Sequence, residues 1–494
     1  MNQIIFQQLN FDQERPFLFD SITDHVFSRK EIRRRAMGIA NYLTSRNIGK
    51  GDPVAVILPT SWECVCVYFA LIFIGAVTVP LSPNYNDVDY QYILAKAGVR
   101  AVISSKEITD GKQYALEYKN MLIDMAVHFA ELYGDNHLNE EVLYNWNDPV
   151  AVIFTSGTTG KPKGVVMKAG AILENLSQYG SDMQFDESSR FMQVIPLFHA
   201  HGWLYSVVVP SIFGSSVVLN EPFSTKVCAK FWDIVCRYDA DILISVPSIL
   251  SSLYEFKDRY KEEYFSKLRY IVSGSAFLHP HFKEKFENTF GSFIYEFYGS
   301  TETLYIAYHS PAQDFVMGSV GKLLPNCTAK IAYDGEIVVK TKYIFKEYMN
   351  EKQLTEEAFQ GDWYLTGDVG YISDDGYVFL TGRKKEIINK GGYKVSPKEI
   401  NTCLMNHHDV VDAATIGIPD EAYGEEICSF VVPKHPKSID CNLLMEFCSE
   451  NLHPTICPRV IVKVDQIPRN HAGKIDQQKL LHIFEKHIHE DRKI

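Results

Sequence analysis

One stretch constrains this chain more than any other: Val152-Ile-Phe-Thr155-Ser-Gly-Thr-Thr-Gly160-Lys-Pro-Lys-Gly164-Val-Val-Met167. β-Branched and aromatic residues lead into it, and Val165, Val166 and Met167 lead out, so it reads as strand, loop, strand. The loop holds the hydroxyls of Thr155, Ser156, Thr158 and Thr159, the glycines Gly157, Gly160 and Gly164, and the cations Lys161 and Lys163. Glycine lets backbone N–H groups turn inward where a bulky residue would not. Hydroxyl donors and positive charge complete a lining suited to a polyphosphate. No Gly-x-x-x-x-Gly-Lys-Ser/Thr register can be drawn through it, so it is not a Walker A loop. On these residues alone, a solvated Gly/Ser/Thr turn is an equal reading.

The surrounding pattern supplies a scaffold. Apolar positions at helical spacing (Ile32, Ala36, Ile39, Leu43) mark an amphipathic helix across Ser28–Arg46. A turn and strand follow from Gly51, then an apolar helix from Cys64 to Ile74, a strand at 76–81, a helix at 87–97 and a strand at 100–103. The alternation resumes after the loop, with strands at 241–246, 270–272 and 293–297 and a helix at 248–256. Such alternation predicts parallel strands covered by helices, with ligands beyond the carboxyl ends of the strands. From about Gly318 short strands and turns predict a β-rich subdomain. Gly382-Arg-Lys-Lys-Glu386 is a charged break, and beyond it the pattern is a compact α+β unit. The expected organisation is therefore a large α/β domain over 1–383 and a small α+β domain over 386–494, hinged near Lys385.

At 494 residues the chain is too long for one ordinary core. A net charge of −12 argues against nucleic-acid binding. Ten cysteines are scattered with no Cys-x-x-Cys pair, which suits reduced thiols and a cytoplasmic location. The N-terminus has no basic start followed by an apolar core. The most apolar run, Cys64–Val79, is broken by Gly75 and falls short of the ~20 residues of a membrane span, so no transmembrane segment is expected.

Further motifs follow in order. Tyr298-Gly-Ser-Thr-Glu-Thr303 puts hydroxyls and a carboxylate on a glycine turn at a strand end, a setting for a phosphate and a hard cation. Tyr364-Leu-Thr-Gly-Asp368 offers a carboxylate of the kind that accepts from a ribose diol, with Arg383 downstream. Gly382 to Pro397 is a basic, glycine-containing loop, and Pro468-Arg-Asn-His-Ala-Gly-Lys474 ends on a lysine. Taken singly, each of these is more often a turn or a solvated surface.

Together with the loop at Thr155–Gly164, these motifs resemble the adenylate-forming superfamily of acyl-CoA synthetases, adenylation domains and beetle luciferases, from about residue 20 to about residue 480. The resemblance implies ATP, Mg²⁺ and coenzyme A as cosubstrates and cofactor. It implies a phosphate loop of Thr155, Ser156, Gly157, Thr158, Thr159, Gly160, Lys161 and Lys163. It gives Gly274, Ser275 and Ala276 one adenine face and Tyr298 the other, with Gly299 and Ser300 in the turn. It gives Thr301 the α-phosphate, Glu302 the magnesium, Asp368 and Arg383 the ribose, and Lys385 the hinge pivot. Gly391 and Gly392 border the thiol tunnel, and Lys474 is the mobile catalytic lysine.

Pro196-Leu-Phe-His199-Ala-His-Gly-Trp203 resembles the acyl-pocket motif in its acyl-CoA synthetase form. Amino-acid-activating relatives carry an aspartate where His199 stands. Malonate-activating relatives place an arginine where Phe297 stands. The implied substrate is thus a fatty or aryl monocarboxylic acid, activated as its adenylate and passed to CoA. The alternatives are an adenylation enzyme loading a separate carrier protein, and a non-catalytic nucleotide-binding protein.

Overall fold

The structure, a computed structural model, describes residues 3–4, 14–110, 112, 114–115, 118, 122–124, 142–155, 162–435, 439–469 and 475–491. The first amphipathic stretch forms a helix over Arg29–Ser45, and Ser28 caps it by accepting from the Glu31 N–H at 3.1 Å. Ile32, Ala36, Ile39 and Leu43 form its buried stripe. The apolar run becomes the helix Trp62–Ile74, buried almost all round and stopped by Gly75 at φ +73°. Helix burial on every side explains a sequence without a polar face.

Two large sheets carry the first part of the chain. In a seven-stranded sheet, Pro53–Val56 lies between Val77–Pro80 and Ala101–Ser104, all parallel, and Pro149–Thr155 runs parallel beside Val77–Pro80. Lys163–Lys168 then folds back antiparallel on Pro149–Thr155, pairing Lys163 with Thr155, and Glu347–Tyr348 covers its other edge. In a nine-stranded sheet, Arg190–Gln193, Ile242–Ser245, Tyr270–Ser273 and Phe293–Ser300 run parallel. Their apolar runs suit strands buried on both faces. Leu304–Tyr308 turns back antiparallel on Phe293–Ser300. The carboxyl ends of these strands carry Ser273–Ala276 and Tyr298–Thr303, the place expected for a ligand.

The β-rich subdomain is an antiparallel sheet of Cys327–Ile331, Glu336–Thr341, Trp363–Ile372, Phe359–Gln360 and Val378–Arg383. Beyond it, Val410–Asp420 and Gly424–Pro433 form the long hairpin of a second five-stranded sheet, covered by helices Pro397–Met405, Cys441–Asn451 and Gln477–Asp491. The hydrophobic cores change over here. Val378 and Leu380 belong to the large core, whereas Ile388 opens a cluster built only from later residues. The fold is the expected large α/β part with a β-rich subdomain, followed by a small α+β unit. The ten cysteines are all free. Among the described residues no helix is long and apolar enough to cross a membrane.

Candidate active site

The hairpin and the nine-stranded sheet meet at Glu302. The Lys163 ammonium donates to Glu302 Oε1 at 2.8 Å and to the Tyr348 hydroxyl at 2.7 Å, while that hydroxyl donates to Glu302 Oε1 at 2.8 Å. Burial raises the Glu302 pKa, but the Lys163 charge and the hydrogen bonds from Lys163 and Tyr348 outweigh it and hold the carboxyl below its ordinary value. Burial and the neighbouring carboxylate drive the Tyr348 phenol the other way. An ionised carboxylate fits a hard divalent cation. Thr155 closes the strand beside Lys163, and its buried hydroxyl has no hydrogen-bond partner among the described residues. Ser156, Gly157, Thr158, Thr159, Gly160 and Lys161 lie outside the described residues.

A second cluster is built around Asp368. The Tyr298 hydroxyl donates to Asp368 Oδ2 at 2.8 Å, and Arg383 Nε lies 2.7 Å from Oδ1. Register explains the latter, since Asp368 and Arg383 are cross-strand partners. Behind them Glu336 accepts from the Gly367 N–H at 2.8 Å and pairs with Lys384 at 2.7 Å, as does Asp334. These two carboxylates raise the Lys384 pKa. No sequence motif marks Lys384 or Glu336, whose partners come together only in the fold. Gly299 is required sterically, because a Cβ there would strike the Leu304 carbonyl. Ser300 donates its N–H to Thr303 Oγ1 at 3.0 Å, which shapes the turn, and Thr301 is half-buried in it.

The pocket motif leads into a π-helix over His201–Val208, a rare form found at functional sites. His199 is half-buried at its start, and burial pushes its imidazole pKa down to about 4. Burial does the same to His201, also to about 4, with His199 adding to it. His201 Nε2 has no hydrogen-bond partner among the described residues. Trp203, which ends that motif, is buried in the core, 1% exposed and 4.8 Å from the Tyr68 ring. Gly274 does admit a flat ring against the backbone, and the ring lying there is that of Phe297. Ser275, at φ +65°, and Ala276 are exposed at the strand end.

Lys385, Gly391 and Gly392 are exposed, the glycines at φ +57° and +90°. Lys474 lies outside the described residues, and Arg469 and Ile475 form an isolated bridge. Lys398 was not anticipated. From helix Pro397–Met405 it donates to the Leu380 carbonyl and sits 3.8 Å from the Phe277 ring centroid. Burial lowers its pKa to about 8 against the opposing charge of Glu296, while His279 faces the same ammonium. A released lysine titrates at roughly 10.4, so between these values the docked form binds fewer protons. Docking of the small unit is therefore expected to strengthen as pH rises from about 8 toward that value, and to be penalised throughout at lower pH. Energy transfer between labels on the two units checks this, and Lys398→Met should flatten the profile.

His407, His408 and Asp409 lie close enough to share an ion. However, His407 Nδ1 accepts the Asp409 N–H at 3.3 Å. That tautomer carries its proton on Nε2 and leaves neither nitrogen free to ligate.

Comparison with known proteins agrees with this geometry. Residues 6–349 match the family model described as AMP-binding enzyme, and residues 399–474 the AMP-binding enzyme C-terminal domain. "Probable CoA ligase CCL9" of Humulus lupulus is 30% identical, over 89% of this chain and 88% of that protein. The oxalate–CoA ligase of Arabidopsis thaliana is 29% identical over 90% and 91%. Among solved structures, ATP-bound MatB from Rhodopseudomonas palustris superposes with a TM-score of 0.90 at 26% identity, covering 97% of this chain and 98% of that one. Its apo form covers the same shares with a TM-score of 0.79. The chain belongs to the AMP-binding enzyme family, the adenylate-forming acyl-CoA synthetase superfamily of AMP-forming acid–thiol ligases that use ATP, Mg²⁺ and CoA.

Proposed function

We propose that this chain activates a fatty or aryl monocarboxylic acid with ATP and transfers the acyl group to the CoA thiol. The observation that carries the reading is the Lys163–Glu302–Tyr348 cluster at the base of the Thr155–Gly164 hairpin, with the Tyr298–Asp368–Arg383 cluster in the same domain. Asp368 would share its carboxylate between a ribose diol and its two protein partners. Glu302, ionised, would hold Mg²⁺, which supplies charge neutralisation on the triphosphate.

In the first step the acid's carboxylate oxygen attacks the α-phosphorus, the bond to pyrophosphate breaks, and acyl-adenylate forms. Thr301, Lys163 and the loop donors bind the phosphates, and Lys474 meets the charge that develops on the α-phosphoryl oxygens. In the second step the thiol sulfur attacks the acyl carbonyl, AMP leaves, and the thiol proton passes to solvent. His199, with its imidazole neutral at physiological pH, borders the acyl side without presenting the carboxylate that would pair with an α-ammonium.

The small unit would pivot at Lys385 between the steps. Three observations support that: the change of core between Leu380 and Ile388, the exposed Gly391–Gly392 turn, and the higher overlap with the ATP-bound than the apo form of one neighbour.

The test is pyrophosphate release by purified protein across a panel of carboxylic and amino acids, with and without CoA. AMP, pyrophosphate and an acyl-CoA should form with apolar acids. ADP and phosphate as products, or a clear preference for an α-amino acid, would overturn the reading. Transfer to a separate carrier protein in place of CoA would move it to the carrier-loading alternative.

A further inference from the structure

We infer that the acid is short, because a column of aromatic rings fills the depth that a long acyl chain would need. The inference rests on the acyl-CoA synthetase reading and names the substrate class of that same site.

The column starts at the strand end. The Phe297 ring lies so close to Gly274 that a Cβ there would overlap three of its carbons. Phe297 stacks on Tyr305 with ring centroids 4.1 Å apart, and Tyr305 stacks on Tyr205 at 3.8 Å. Tyr179 meets Tyr205 and Tyr305 edge-on, at 5.6 and 5.1 Å. The His201 ring flanks the column 4.9 Å from Phe297. These contacts leave little aromatic surface facing open space: Phe297 is 4% exposed, Tyr305 and Tyr205 each 2%. Among the described residues at this end, His199, Ala200 and His201 are half-buried, and Ser275 and Ala276 are exposed. That is the carboxyl end of the strands, where the reacting carboxylate must sit.

The column is also pinned. Buried Asn175 donates to the Tyr305 carbonyl at 2.8 Å and accepts from the Tyr205 hydroxyl at 3.0 Å. Leu304 turns the chain into Tyr305 through φ +55°, a conformation unusual for a side chain of its size. Tyr205 cannot swing aside without breaking the buried hydrogen bond of its hydroxyl, while Tyr305 is fixed at its backbone carbonyl and its ring is held by stacking between Phe297 and Tyr205. Phe297 has no polar tether and stands at the end nearest the reacting atoms, so it sets the depth. The chemical class is a short aliphatic acid. Long chains and acids carrying bulk remote from the carboxylate are excluded.

The experiment compares kcat/KM for acid-dependent pyrophosphate release with acetate, butanoate, octanoate and dodecanoate, in wild type and Phe297→Ala. Wild type should favour the two short acids. Because one methylene in an apolar pocket is worth roughly 10–200-fold in kcat/KM, Phe297→Ala should raise the octanoate-to-butanoate ratio by about tenfold or more. The change should appear in KM for the acid and leave KM for ATP alone. If the alanine variant loses ATP-dependent thermal stabilisation, Phe297→Leu should move the ratio in the same direction by less. A wild-type preference for dodecanoate, or an unchanged ratio in a folded variant, overturns the depth inference while AMP formation keeps the synthetase reading. Failure of all four acids while an aryl acid such as benzoate yields AMP overturns the depth inference alone, and failure of the aliphatic and aryl acids alike overturns both.

Discussion

Glu302→Gln is expected to lower acyl-adenylate formation by roughly 10²–10³-fold, the loss typical of removing one well-placed electrostatic group from a reacting centre. The substitution keeps the shape and removes the charge. In the native site one carboxylate oxygen receives both the Lys163 ammonium and the Tyr348 hydroxyl. Burial opposes its ionisation, yet the Lys163 charge holds its pKa below the ordinary range, so at neutral pH the group is anionic. With its folded pKa lowered, the stabilisation it contributes is present above the unfolded value and is lost as pH falls through the folded value. Glutamine would leave Lys163 facing a neutral amide and would remove the anionic oxygen proposed for Mg²⁺. Tyr348→Phe, which takes away one hydrogen bond and no charge, should cost less. Single-turnover formation of acyl-adenylate reads both variants. Conversion of supplied acyl-adenylate to acyl-CoA is the control, because that step needs no triphosphate. Near-native adenylation by Glu302→Gln would remove this residue from the proposed site.

The motifs in the sequence located both partners of the Lys163–Glu302, Tyr298–Asp368 and Asp368–Arg383 contacts and missed the residues that join them from elsewhere in the chain. Glu302 and Lys163 stand in recognisable strings, but Tyr348 sits on a two-residue edge strand that pairs with Val165. No local pattern marks such a residue, since it reaches the site through sheet pairing alone. The same holds for Lys384. Within the run Gly382–Glu386 it looks like one of several solvated cations. Its role comes from Asp334 and Glu336, whose Gly335 turn reads as an ordinary hairpin.

Trp203 is tied to the pocket only by the resemblance of its motif, and motif resemblance says nothing of how the chain winds: His201–Val208 forms a π-helix, and within it Trp203 packs against Tyr68. The parallel sheets were legible because strands buried on both faces advertise themselves as unbroken apolar runs. Lys398 was not, because the interface it crosses joins residues from both units, among them Leu380 and Phe277, and exists only once the units dock.

Lys474→Ala and Gly392→Trp should divide the reaction between them. Adenylation needs a cation at the α-phosphate, while thiolysis needs that space vacated so that sulfur can approach the carbonyl. One rigid arrangement would struggle to serve both. The small unit has its own cores, which begin at Ile388, and its Gly391–Gly392 turn is exposed in this arrangement. A Cβ at Gly392 meets nothing within 4 Å, although φ +90° makes any side chain there strained. A bulky residue would thus be carried on the surface here and would obstruct only when the unit turns this loop toward the site. Lys474→Ala should slow adenylate formation by roughly 10²–10³-fold and spare thioester formation from supplied acyl-adenylate. Gly392→Trp should do the reverse. Lys385→Pro should resemble Gly392→Trp, because proline fixes φ at the pivot and opposes a hinge rotation. Single-turnover assays of each half-reaction, with circular dichroism to confirm folding, decide the matter. Equal losses in both steps for Lys474→Ala, or no loss in transfer for Gly392→Trp, would mean that the two units do not alternate.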